Sequence, residues 1–140
     1  MKIAADTNVL ISMLLWGKSL EQLFTLVNRR QIILCFSPET IDELIRVVNY
    51  SNMKKQAQKL KINTDALLDK LLAASAIYYP DTNVNIIKDD PSDNRLLETA
   101  YAAQAEYIIS GDRHLTQLKQ FRNIPIVRPA LFLQIFNRKK

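Results

Sequence analysis

What most constrains this chain of 140 residues is an alternation: short apolar runs give way repeatedly to longer segments with apolar residues at helical spacing. Such alternation belongs to an α/β fold with a mainly parallel sheet, since parallel strands need crossover helices. The strand candidates are Lys2–Ala5, Ile32–Phe36, Val84–Ile87, Tyr107–Ser110 and Pro125–Arg128. Each is short and rich in Ile, Val or aromatic residues, as strands buried on both faces tend to be.

Helix starts are legible between them. Ser19-Leu20-Glu21-Gln22 has the form of a capping box, followed by an apolar stripe of Leu20, Leu23, Phe24 and Val27. Ser37-Pro38 places a capping hydroxyl before a proline at the first helical position, with Ile41, Leu44, Ile45 and Val48 behind it. Asn63 and Asp65 open a helix whose Leu67, Leu68, Leu71, Leu72 and Ser75 share a face. Pro91-Ser92-Asp93 opens another, with Leu96, Leu97, Ala100 and Tyr101 expected inward, and a last helix is expected from Pro129 to Phe136. Residues 51–81 carry helical signals and no strand signal, so they read as a helical excursion within a single domain covering 1–140. The basic tail Arg138-Lys139-Lys140 is expected to fray.

Two glycines in the whole chain exclude a glycine-rich phosphate loop and the dinucleotide fingerprint together. Cys35 is the only cysteine, so an intramolecular disulfide is excluded, and with the single His114 it cannot make a structural zinc site. The longest apolar runs are about five residues, far short of a membrane span. The N-terminus enters strand-like sequence without a signal-peptide core, so the expectation is a soluble, cytoplasmic protein with no membrane partner.

The net charge is +5, from 19 basic and 14 acidic residues. A basic balance favours polyanionic partners, because Lys and Arg that neutralise phosphates release condensed counterions. The excess is concentrated: Arg46, Lys54, Lys55, Lys59 and Lys61 fall in a stretch from 46 to 61 that holds no acid. That stretch reads as a solvated helical face or as a nucleic-acid or partner surface, with Lys54, Lys55 and Lys59 the candidate nucleic-acid contacts.

Ligand sites of open parallel sheets form outside the carboxyl ends of the strands. Asp6 directly follows the first strand candidate, Asp112 follows the fourth by one glycine, and Asp93 stands at the mouth of the helix after the third. Singly, Asp6 and Asp93 read as helix caps and Asp112 as a residue after a turn. Their joint position at one sheet edge favours function, because converging carboxylates repel unless a cation binds, and Mg²⁺ or Mn²⁺ suits oxygen-only ligands. Glu43 points away from its helix's apolar stripe and by pattern alone reads as a surface residue.

These residues resemble the PIN domain family, in particular the toxin-like members of bacterial toxin–antitoxin systems. Lys2-Ile-Ala-Ala-Asp6-Thr7-Asn8-Val9-Leu10-Ile11-Ser12 resembles the family's first strand and Asp-Thr-Asn motif. Ser37-Pro-Glu-Thr-Ile-Asp-Glu43-Leu44, Asp90-Pro91-Ser92-Asp93-Asn94 and Ser110-Gly111-Asp112-Arg113-His114-Leu115 are similar to the second, third and fourth motifs, in order, over residues 1 to about 130. The resemblance implies a five-stranded parallel sheet with helices on both faces. It also implies endonucleolytic cleavage of single-stranded RNA by water, dependent on Mg²⁺ or Mn²⁺, leaving 3′-hydroxyl and 5′-phosphate ends. Asp6, Glu43, Asp93 and Asp112 would hold the metal and carry catalysis, and Thr7, Asn8, Asn94 and Ser110 would be polar residues orienting ligands and water. Asp90 is an extra acid or an Asx-turn residue before Pro91. Asp89 reads as a surface residue.

His114, two residues past Asp112, reads as a helix-start or packing residue rather than a general base, and Trp16 and the tyrosines as core rather than base-stacking residues. The expected partners are single-stranded RNA, an antitoxin protein and a second copy of the chain. The alternative function is a catalytically silent domain that binds RNA or protein. A phosphoryl-transfer pocket fits worse: a haloacid-dehalogenase-type site wants an acid where Asn8 stands, and a receiver wants a lysine where the last strand offers only Arg128.

Overall fold

The computed structural model describes residues 1–15 and 21–138. In chain order these form β1 (Lys2–Ala5), α1 (Thr7–Leu15), α2 (Glu21–Asn28), β2 (Ile33–Phe36), α3 (Pro38–Val48), α4 (Ser51–Lys59), α5 (Thr64–Ala73), β3 (Ala76–Ile77), α6 (Pro91–Ala103), β4 (Tyr107–Ile109), α7 (Arg113–Thr116), β5 (Gln120–Phe121), β6 (Ile124–Val127) and α8 (Pro129–Arg138). The capping box at Ser19, Trp16 and the final two lysines lie outside the described residues.

Among the described residues the sheet has six strands, in the order β3-β2-β1-β4-β6-β5. All neighbours are parallel except β5, which runs antiparallel to β6. The expected count of five is corrected by the two-residue strands at both edges. The β5–β6 hairpin turns through Arg122 (φ 47°) and Asn123 (φ 71°). Two consecutive positive φ values are those of a type I′ turn, whose twist matches the flanking strands.

Val84–Ile87 is not a strand. The edge position falls to Ala76–Ile77, which pairs with Cys35 and Phe36 of β2. The backbone of 84–87 is held by side chains of α6 instead. Glu98 accepts from the Val84 N–H at 2.7 Å, and Arg95 donates to the Val84 carbonyl at 2.9 Å. Asn94 accepts from the N–H groups of Ile86 and Ile87 at 3.1 and 2.9 Å and donates to the Ile87 carbonyl at 2.7 Å. Side chains thus supply the partners that a ladder would have given.

Period-two alternation along the central strands divides the core between the two faces. Ile3, Ala5, Leu34, Phe36 and Ile109 pack on one side with α1–α5 and Phe132 of α8. Ala4, Ile108 and Ile126 pack on the other with Leu96, Leu97 and Ala100 of α6, Leu115 of α7 and Phe121. Tyr101, expected inward, is 44% exposed. Its ring meets Phe121 edge-on at 6.5 Å, and the Arg122 guanidinium lies 4.4 Å from its centroid. No described helix is long and apolar enough to cross a membrane.

Candidate metal centre

The carboxyl ends of β1, β2 and β4 lie level, because Ala4 pairs with Ile108, Ala5 with Ile109, and Ile3 with Leu34. The residues that follow these strands, Asp6, Ser37 and Ser110, are therefore brought to one edge. All three are buried.

Asp6 is held on three sides. Its backbone N–H continues the sheet to the Ile109 carbonyl at 3.0 Å. Its Oδ1 accepts from the Val9 N–H at 2.8 Å, capping α1, and its Oδ2 accepts from the Ser110 hydroxyl. The cap role and the site role thus coincide in one carboxylate, each oxygen serving one of them. Burial pushes the Asp6 carboxyl above the usual carboxylate range; the bonds from Ser110 and Val9 oppose this, and the charges of Asp112 and Glu43 add to it.

Ser110 also accepts from the Asp112 N–H at 2.9 Å, so one hydroxyl ties Asp6 to the Asp112 backbone. Asp112 caps the short α7 by accepting from the His114 N–H at 2.8 Å. His114 is exposed, its Nε2 lies 3.7 Å from the Asp89 carboxylate, and it takes no part in the carboxylate cluster.

Asp93 is not a cap. Asp90 caps α6, its Oδ1 accepting from the Ser92 N–H at 3.1 Å and the Ser92 hydroxyl at 2.5 Å. That leaves Asp93 in the first turn of the helix, 6% exposed, with an Oδ2 that has no hydrogen-bond partner among the described residues. Carboxylate oxygens of Asp90, Asp93 and Asp112 lie within 4.8 Å of one another. Burial first, then the charges of Asp90 and Asp112, a hydrogen bond between the protonated carboxyl and Asp112, and last the charge of Asp6, raise the Asp93 carboxyl to about 8. An orphaned, buried carboxylate oxygen among like charges needs either a proton or a cation. The donors are all hard oxygens, which fits Mg²⁺ or Mn²⁺.

Glu43 is partly buried and lines a tight cleft with Asp6, Thr7, Thr40, Ser92, Asp93 and Leu96. Because α3 packs against α6 as well as α1, a residue off its apolar stripe still meets a neighbouring element. Asn8 and Ser12 line a separate open groove of about 370 Å³ with Asp6, Gly111 and Asp112. The structure therefore gathers Asp6, Thr7, Glu43, Asp93, Ser110 and Asp112 at one edge, with Asn8 on its open side. Asn94 is the exception: its bonds go to the 86–87 backbone, so it holds that segment and not the carboxylates. Asp90 was the ambiguous acid in the sequence; it is both the cap of α6 and a member of the cluster.

Lys54, Lys55 and Lys59 are exposed on α4. Lys54 lines a hollow of about 310 Å³ with Val48, Ala57, Ile62, Asn63 and Asp65, and none of the clustered acids lines it.

A family model described as the PIN domain matches residues 2–114. Among curated proteins no match is found. Among solved structures, PAE2754 from Pyrobaculum aerophilum is similar over 98% of this chain and 90% of that one, with a TM-score of 0.56 at 12% identity. FitAcB from Neisseria gonorrhoeae is similar over 91% of this chain and 98% of that one, with a TM-score of 0.55 at 19% identity. At such identities the likeness speaks for the fold alone.

Proposed function

Since the chain belongs to the PIN domain family, whose members are in general nucleases, we propose that it is a divalent-metal-dependent endoribonuclease acting on single-stranded RNA. Asp6, Glu43, Asp93 and Asp112 are its metal-binding and catalytic acids. The observation that carries the reading is the buried, partnerless Oδ2 of Asp93 among neighbouring carboxylates.

When bound there, Mg²⁺ or Mn²⁺ supplies charge against the negative charge that develops on the phosphodiester, and acidifies water. The chain's own residues do the positioning. Ser110 and the Val9 N–H fix the two oxygens of Asp6, and Ser110 fixes the turn that carries Asp112. Thr7 faces the tight cleft, while Asn8 and Ser12 offer polar contacts along the open groove, where a sugar–phosphate backbone has room.

Lys54, Lys55 and Lys59 supply a second, sequence-independent attraction for RNA. The same basic strip suits an acidic segment of an antitoxin, the partner that goes with the toxin-like resemblance, and self-association is a further expectation of that reading. The test is cleavage of a fluorescent single-stranded RNA with Mn²⁺ or Mg²⁺, with EDTA, and with Asp93→Asn. Cleavage should need the metal and vanish in the variant. Cleavage that survives EDTA or Asp93→Asn overturns the proposal, and RNA binding without any cleavage favours a silent binding module.

A further inference from the structure

Glu43 and Asp93 sit on different helices, and something must hold those helices in the register that puts both acids at one cleft. A buried hydroxyl pair is placed to do so. Ser37, at the N-cap of α3, and Thr99, in the middle of α6, are 1% and 0% exposed, and their hydroxyl oxygens lie 2.8 Å apart. They are 62 residues apart in sequence.

The spacing on either side of this contact is regular. Thr40 is three residues beyond Ser37, and Leu96 is three residues before Thr99; both line the cleft. Glu43 is six residues beyond Ser37, and Asp93 is six residues before Thr99; both line the same cleft. The two helices thus pass in opposite directions, and the hydroxyl contact sits about 9 Å along each from its acid. A slip of one residue on either helix would turn its acid by about 100° and out of the cleft.

Neither hydroxyl is free to drift. Thr99 Oγ1 also lies 2.8 Å from the Arg95 carbonyl; when its one hydrogen goes there, Thr99 accepts from the Ser37 hydroxyl instead. Ser37 Oγ accepts from the Thr40 N–H at 3.3 Å, while Thr40 Oγ1 accepts from the Ser37 N–H at 2.8 Å. The contact therefore joins the N-cap of α3 to the backbone of α6 through two short side chains, each held by a second bond. We propose that Thr99 is a positioning residue, whose hydroxyl, through Ser37, sets the register of α3 on α6 and so turns Glu43 into the cleft that Asp93 lines, where both can serve one cation. This rests on the metal reading for its purpose, but the register itself does not need a metal.

The test uses Thr99→Val, which keeps the shape and removes the hydroxyl, and Thr99→Ser, which restores it. In titration calorimetry with Mn²⁺ alone, the valine variant should bind about tenfold more weakly, as loss of a residue supporting metal ligands does, and the serine variant near the wild-type level. Wild-type affinity in the valine variant overturns the proposal, and a lowered melting temperature alone shows a packing role only. Should valine at 99 prevent folding, Thr99→Ala carries the same measurements. A metal-free arm separates this inference from the nuclease reading. In EDTA, Glu43→Gln should raise the melting temperature by relieving repulsion with Asp6, and the gain should shrink when combined with Thr99→Val. Strictly additive shifts overturn the register claim, whether or not the wild type binds Mn²⁺. Failure of the wild type to bind Mn²⁺, with the coupling intact, overturns the metal reading instead.

Discussion

Replacing Asp93 by Asn should stabilise the metal-free protein, and only above the acid range. In the fold the Asp93 carboxyl is raised to about 8 from 3.8, so folding favours its protonated form. Its contribution to stability is fully present below about pH 4 and is lost as the pH rises toward and through about 8. Asn never ionises, so the variant keeps what the wild type loses. One pKa unit is about 1.4 kcal/mol, which sets a ceiling of about 6 kcal/mol on the difference. Neighbouring carboxylates can share the proton, and solvent on the open side of the cluster screens the repulsion, so about 1–2 kcal/mol is expected. Ionised Asp93 would gain from its place in the first turn of α6, but that interaction is only about 0.3–1 kcal/mol and does not reverse the sign.

The assay is thermal unfolding in EDTA at pH 4 and pH 8.5. The two proteins should melt together at pH 4, and the variant should melt about 3–8 °C higher at pH 8.5. With Mn²⁺ at a hundred times its dissociation constant, the wild type should gain about 2.7 kcal/mol and the variant much less. A difference that does not depend on pH, or a variant that melts lower at pH 8.5, refutes the reasoning and makes Asp93 a helix residue that the fold needs ionised.

Replacing Lys54, Lys55 and Lys59 together by Gln should weaken single-stranded RNA binding. It should also lower the slope of log affinity against log salt by about two in filter binding; an unchanged slope makes the strip a solvated face. Glu98→Ala should cost about 2–3 kcal/mol in denaturant unfolding. It strands the Val84 N–H that Glu98 accepts at 2.7 Å and removes the partner that Arg95 meets at 2.8 Å. The exposed side of Arg95 keeps the loss from being larger. Gln104, the residue that ends α6 with φ 52°, should give way to Gly with a gain of about 1 kcal/mol in the same assay, because glycine carries no left-handed penalty.

How legible each of these features was depends on whether its cause is local. Strands β1, β2, β4 and β6 were readable because burial on both faces forces a continuous apolar run, and the caps at Ser37 and Asn63 because their bonds close within three residues. Val84–Ile87 carries the same Val and Ile composition as those strands, yet its hydrogen bonds come from Asn94, Arg95 and Glu98, which no local pattern announces. Tyr101 misled for a related reason: its place on the wheel of α6 is local, but the groups its ring meets, Phe121 and Arg122, come from the hairpin about twenty residues later. The site divides along the same line. Asp6 and Asp112 follow strands, so the parallel sheet alone carries them to one edge, and the sheet was legible. Glu43 follows no strand end, and its approach to Asp93 depends on how two helices pass each other. A one-dimensional pattern cannot encode that crossing unless it shows which buried polar groups meet. Ser37 and Thr99 do so here, and each taken alone looks like an ordinary cap and an ordinary helical threonine.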